Sequence, residues 1–355
     1  MLSGKKKKII IRAVNIAVAV IFGFVLVIFL LRDLDLADIR EAFLGMYVPS
    51  LLVFIAINFS DTFFRAYRKK ILIGSDRINM FDMFFTNLIR NAFNMVLPAR
   101  TGELSYVYVL NKKFKFPVEI GMSTLLVAMI FDLVIVFSLI IIAFIMVMIT
   151  TGFQDLIASP WTIILIAIVL LSVFMLILFH LSKVINLFIK GINKILVHYR
   201  IGKNKTIQLL YLKLVETNKN IEIIQRRKIY AKVYFSSLAI RIMKFSSYYI
   251  LIHAILRPMG YSFSDLDYWI ILLATIAAEI SAVLPTHALA GFGTYEGAFV
   301  GTAVLLNFVG FELARIVAFS YHITILIFSI SLGILSMIII SMPFYKVRGL
   351  EKTER

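Results

Sequence analysis

The chain has 355 residues, 61% of them hydrophobic and only 16% charged, with a mean hydropathy of +0.94. A soluble fold carries roughly 25% charged and about 45–50% apolar residues, so this composition excludes an ordinary water-soluble domain and requires the bilayer as solvent. The formal net charge of +17 does not call for nucleic acid, because no basic domain exists to hold it. Retention of cations in cytoplasmic loops and attraction to anionic lipid head groups account for the excess.

The first apolar run, residues 13–31, follows Lys5, Lys6, Lys7, Lys8 and Arg12 and is long enough for a hydrocarbon core of about 30 Å. It exceeds a signal-peptide h-region and ends at Phe29-Leu30-Leu31-Arg32 with no small-residue cleavage site, which predicts a retained span with a cytoplasmic N-terminus. Residues 33–41 hold Asp33, Asp35, Asp38 and Glu41, whereas a second span over 47–64 is followed by Arg65, Arg68, Lys69 and Lys70. This asymmetry predicts an outer first loop and an inner second loop.

Residues 81–110 are apolar enough to enter the membrane but are interrupted by Asn87, Arg90, Asn91, Asn94, Pro98, Arg100, Gly102 and Glu103, with basic clusters at both ends. The pattern predicts a hairpin of two half-helices entering from the cytoplasm and turning near Pro98, its broken backbone shielded by protein or water. A surface-lying amphipathic pair is the alternative. Two long apolar runs follow, 118–150 and 161–180, joined by a loop without Lys or Arg that belongs outside. Residues 182–228 then gather eleven Lys and Arg, with Ile185, Phe188, Ile192 and Leu196 at three- and four-residue steps. That is a basic amphipathic cytoplasmic insertion lying on the inner leaflet, within a single transmembrane domain spanning 1–355. Residues 229–256 cross outward, 268–308 form a second broken region, and 314–342 lead to Lys346 and Arg348, placing the C-terminus inside. The expected fold is an all-α polytopic membrane protein with about six full transmembrane helices, two broken or re-entrant hairpins and a possible inverted repeat. Two full spans over 268–308 remain the alternative to a hairpin entering from outside.

The two broken regions share a pattern: Val96-Leu97-Pro98 then Thr101-Gly102-Glu103, and Val283-Leu284-Pro285 then Thr294-Tyr295-Glu296. Thr suits an N-cap, and Glu at the second helical position faces the positive end of the helix dipole. Matching interruptions in two halves of a chain point to an inverted repeat with a substrate site between the hairpins. Intramembrane charges are costly and so paired or functional, which makes Glu103, Glu296 and Asp132 candidates for ion coupling.

Asn87, Arg90, Asn91 and Asn94 share one helix face and Arg100 lies just beyond the turn. Guanidinium, amide and free half-helix N–H donors together suit a phosphate, while a hydrated interfacial stripe is the other reading. Arg241 and Lys244 are suited to an anionic lipid, with Glu279 as a partner, and Asp61 and Arg65 are spaced to pair on one helix. The five histidines have no metal-binding spacing and cysteine is absent, so neither a metal nor another cofactor is expected.

At Asn94-x-x-Leu97-Pro98-x-Arg100-x-Gly102-Glu103, with the glycine-rich segment from Pro285 to Glu296, the chain resembles the flippase-like membrane domain of the lysylphosphatidylglycerol synthase family over roughly residues 10–345. The resemblance implies lipid-translocating roles for Asn94, Pro98, Arg100, Gly102, Glu103, Gly293 and Glu296. This sequence departs from the family at Ala128-Met129 ahead of Asp132, where Glu-Arg is common, and at Thr286-His287, where a Pro-Gly-Gly type turn is common. Neither an attached aminoacyl-transfer domain nor lysyl transfer is expected.

The leading expectation is therefore a non-enzymatic translocase in the cell membrane for an anionic phospholipid or polyprenyl-phosphate lipid. It lacks a G-x-x-x-x-G-K-[ST] phosphate loop and so is not ATP-driven. Two alternatives stand beside it: a glycosyltransferase using a polyprenyl-phosphate sugar, with Asp33-Leu34-Asp35 as its acidic pair, and a non-catalytic subunit that positions a partner through 182–228.

Overall fold

A backbone in lipid must satisfy its own hydrogen bonds, so apolar runs of this length wind into helices. The computed structural model describes residues 25, 27–32, 35–151, 160–198, 205–282, 289–342 and 345, which hold helices and turns and no strand. Of the predicted first span, residue 25 and residues 27–31 are among them. Helix α1 (Leu36–Leu44) starts at Asp35, whose carboxylate accepts from the Ala37 N–H at 2.8 Å. Helix α2 (Val48–Ile73) stops at Gly74 in the left-handed region, φ 62°, where glycine has no Cβ penalty. A reciprocal cap between Asn79 and Asp82 opens α3 (Met80–Val96). A 3₁₀ turn, Pro98–Glu103, leads into α4 (Leu104–Lys112).

The later helices are α5 (Val118–Thr151), α6 (Pro160–Phe179), α7 (Leu181–His198), α8 (Lys205–Arg226), α9 (Tyr230–Leu256), α10 (Tyr268–Ser281), α11 (Thr294–Leu305) and α12 (Phe311–Ser341). Among the described residues four helices, α2, α5, α9 and α12, are long and apolar enough to cross a membrane. The pair α6 and α7, bent by 82°, makes a fifth candidate. The bend falls where the apolar run gives way to the basic insertion: α7 turns aside, leaving Leu187, Phe188 and Ile195 exposed. These features make an all-α polytopic membrane fold.

One predicted boundary is corrected. The second span does not end at residue 64 but continues to Ile73, and Arg65, Arg68 and Lys69 are buried on it instead of forming a loop cluster. The cause is tertiary: α9 lies along α2, and α5 also touches it, supplying partners that a lone helix in lipid would lack.

The broken regions are shorter-legged. Helices α3 and α4 have 17 and 9 residues, α10 and α11 have 14 and 12, each below the ~20 needed to cross alone. Their turns meet: Pro98–Glu103 contacts Leu289–Gly291. Both turns hold a non-glycine residue in the left-handed region, Arg100 (φ 53°) and Ala290 (φ 56°), a conformation that costs about 1 kcal/mol or more and persists only where surroundings enforce it. Gly102 shows that enforcement. A Cβ there would lie well inside 3.0 Å of the Phe93 and Asn94 backbone, so the turn folds flat against α3 only because the residue is glycine. A similar close approach brings Gly333 of α12 onto Ala92 of α3.

The predicted threonine caps are also corrected. In the first region the chain runs through the 3₁₀ turn into α4 with no side-chain cap, and Thr101 is exposed. In the second, Gly293 (φ 88°) is the cap and Thr294 the first helical residue, bonded to the Gly291 carbonyl at 3.2 Å. Glu296 therefore sits at the third helical position and accepts from the Gly293 N–H at 2.7 Å. Residues 283–288, with the second Val-Leu-Pro, lie outside the described residues.

Three apolar clusters make up the core. Along α9, Val233 belongs to one and Phe245 to another; along α2, Phe54 and Leu72 are likewise divided. The charged positions fall between them.

Candidate functional site

Where those clusters part, a cavity of about 340 Å³ is lined by α2, α3, the Pro98–Glu103 turn, α5, α9, α10 and α12. That volume lies at the low end of the roughly 300–1,000 Å³ typical of ligand pockets, enough for a head group but not for acyl chains as well. Its walls carry seven cationic side chains and four carboxylates, a formal excess of three positive charges.

The helical spacing of Asp61, Arg65, Arg68 and Lys69 puts all four along one face of α2. Asp61 accepts from Arg65 Nε at 2.7 Å. Arg68 reaches across to α5, donating through both terminal nitrogens to Asp132 at 2.6 and 3.2 Å, and to Ser237 Oγ at 2.7 Å. Arg241 of α9 bridges Asp132 (3.2 Å) and Glu279 (3.3 Å). Glu279 on α10 also pairs with Lys244 and, at 3.7 Å, with Arg100. Glu103 accepts twice from Arg90 Nη1, at 2.9 and 3.0 Å, while Arg90 Nη2 donates to Asn91 Oδ1 at 2.6 Å. Removing ions from water costs several kcal/mol each and is offset only by close pairing of this kind.

Pairing is incomplete. Lys69 is 1% exposed, and its Nζ has no hydrogen-bond partner among the described residues; it rests 3.7 Å above the Tyr106 ring. The buried Nε groups of Arg68, Arg90 and Arg241 and Asn94 Oδ1 are also unbonded there. Buried polar groups are ordinarily satisfied, so these mark the wall of the cavity as incompletely paired.

Of the residues singled out from sequence, Arg90, Asn91, Asn94, Arg100, Glu103, Asp132, Arg241 and Lys244 line this cavity. Asn87 is buried but turned back onto its own helix, donating to the Met83 carbonyl at 2.7 Å. Pro98 opens the 3₁₀ turn and Gly102 seats it. Gly293, Thr294 and Glu296 do not line the cavity. Fully buried Glu296 instead meets His322 Nδ1 at 2.6 Å, beside a chain of aromatics: Tyr295 stacks on His322, bonds Tyr321 through the hydroxyls at 2.9 Å, and Tyr321 abuts the cavity residue Tyr248. The second broken region thus contributes Glu279 and not Glu296. The departure at Ala128-Met129 does not leave Asp132 isolated, since α2 and α9 supply its arginines.

Sequence reasoning missed Arg68 and Lys69 as site residues. Their periodicity with Asp61 was the available signal, because charges that continue a helical face beyond an apolar run mark one buried stripe as readily as a loop. The histidine partner of Glu296 had no local signal.

The fold and the site define a multi-pass α-helical membrane protein with a buried, incompletely neutralised cationic cavity between broken helices. Such a cavity in lipid belongs with membrane-lipid chemistry more than with soluble substrates. The chain is a member of the lysylphosphatidylglycerol synthase TM region family, whose pattern it matches over residues 14–333. Neither the curated proteins nor the solved structures gave a match to the chain.

Proposed function

We propose that the protein is a lipid translocase that takes the anionic head group of a phospholipid or polyprenyl-phosphate lipid into this cavity and passes it between leaflets. The observation that carries the reading is the excess of three cations in a cavity to which both broken regions contribute. Each leg is too short to cross alone and the two turns touch, which supports hairpins entering from opposite sides, related as an inverted repeat and rocking about the bound group. The cations at Lys5–Lys8 and Arg12 and at Lys346 and Arg348 favour cytoplasmic termini, and residence in the cell membrane is part of the same proposal. The drive is a gradient of lipid, ion or potential rather than ATP, with Glu103, Asp132 and Glu296 as coupling carboxylates.

The protein is read as a translocase rather than an enzyme. Asp33 and Leu34 lie outside the described residues, and Asp35 is engaged in capping α1 and does not line the cavity. Reconstitution in liposomes with fluorescent lipids tests the proposal. Anionic lipid should cross faster than in empty vesicles, with the gain lost in Arg100→Ala and Glu279→Gln and kept in Asp33→Asn. No transfer of any phospholipid or prenyl phosphate would sink it.

A further inference from the structure

Charge balance narrows what the cavity holds, on the premise that its ligand is an anionic lipid. Each of the four carboxylates is already in contact with at least one cation: Asp61 with Arg65, Glu103 with Arg90, Asp132 with Arg68 and Arg241, and Glu279 with Arg241, Lys244 and Arg100. Lys69 faces none within ion-pair distance among the described residues. The formal excess of three positive charges therefore stays uncompensated. A phosphodiester head group supplies one negative charge and leaves two of the three uncompensated. A phosphomonoester supplies about −1.5 to −2 at pH 7 with three strong acceptor oxygens.

We infer that the cavity selects a lipid whose phosphorus head group is a monoester or a diphosphate over the phosphodiesters of bulk glycerophospholipids. The acyl or prenyl chains stay in the membrane, and selection rests on charge.

The test is competitive native mass spectrometry on the purified full chain with phosphatidic acid, phosphatidylglycerol and phosphatidylcholine of matched chains, farnesyl phosphate and inorganic phosphate. At about pH 7.5 phosphatidic acid and farnesyl phosphate should bind at least ~10-fold more tightly than phosphatidylglycerol. Near pH 5, where the monoester carries about one charge, the preference should shrink several-fold. Phosphatidylglycerol measured at both values reports any titration of Asp61, Glu103, Asp132, Glu279, Lys69 or Lys244 themselves. Lys69→Gln and Arg100→Gln should each reduce the preference. Should Lys69→Gln not fold, Arg100→Gln carries the test, its side chain being 28% exposed. Phosphatidylglycerol binding as tightly as phosphatidic acid at about pH 7.5 overturns the inference and leaves the anionic-lipid reading standing. No binding of any anionic lipid by protein with normal thermal unfolding overturns both. Inorganic phosphate binding as tightly as phosphatidic acid assigns the site to a soluble anion and overturns the lipid source.

Discussion

Asp132→Asn is the sharpest test of the charge network. The carboxylate receives Arg68 at 2.6 and 3.2 Å and Arg241 at 3.2 Å, and the side chains are only 14%, 1% and 7% exposed respectively. At about 3 Å and an effective dielectric of ~20, each pair gains roughly 5 kcal/mol of Coulomb attraction before desolvation. Loss of one partner of a buried pair costs about 3–5 kcal/mol, because the remaining charge stays buried and uncompensated. Asparagine keeps the volume but turns an N–H2 toward a guanidinium. Water in the cavity relieves part of this, so about 3 kcal/mol is expected, a fall of roughly 5 °C in the unfolding temperature. The same substitution raises the formal excess from three to four. The assay is thermal unfolding of the purified protein, followed by a double-mutant cycle with Arg241→Gln. The double variant should recover at least about 1 kcal/mol relative to additivity. An unchanged unfolding temperature in Asp132→Asn, with strict additivity in the cycle, would refute the network.

Gly102→Ala forces its turn off the α3 backbone and should cost about 1–3 kcal/mol while displacing Arg100 and Glu103. Lipid transfer and unfolding temperature should fall together, and a silent variant would remove the close approach from the account. Gly333→Ala should destabilise through its clash with Ala92, and adding Ala92→Gly should restore most of the loss; failure to rescue means the two helices do not cross there. Glu296→Ala, which leaves the Gly293 N–H and His322 without their acceptor, should cost about 1–3 kcal/mol by chemical or thermal unfolding. Glu296→Gln keeps an acceptor and should stay within about 1 kcal/mol of wild type. If it also keeps the pH dependence of transport, Glu296 is a structural anchor and not a coupling group.

The membrane class was legible from composition because no other solvent accommodates so much apolar surface, and the long spans from run length because a bilayer sets a minimum. The interruptions were legible too, since Pro98, Gly102 and the charges around them break a pattern that lipid otherwise enforces. Arg90, Arg100, Glu103, Asp132, Arg241 and Lys244 stood out individually for the same reason: a lone charge in an apolar run is expensive wherever it points.

What each of those charges faces was decided in three dimensions. Arg68 finds Asp132 across 64 positions and Arg241 finds Glu279 across 38. A cation near the end of an apolar run reads equally as a loop residue or a buried one until that partner is located, which is why α2 ran nine residues past its predicted end. Local spacing reports which side chains share a helix face. Whether that face meets lipid, water or an opposing carboxylate depends on which helix packs beside it, and no sequence window of one helix contains that information.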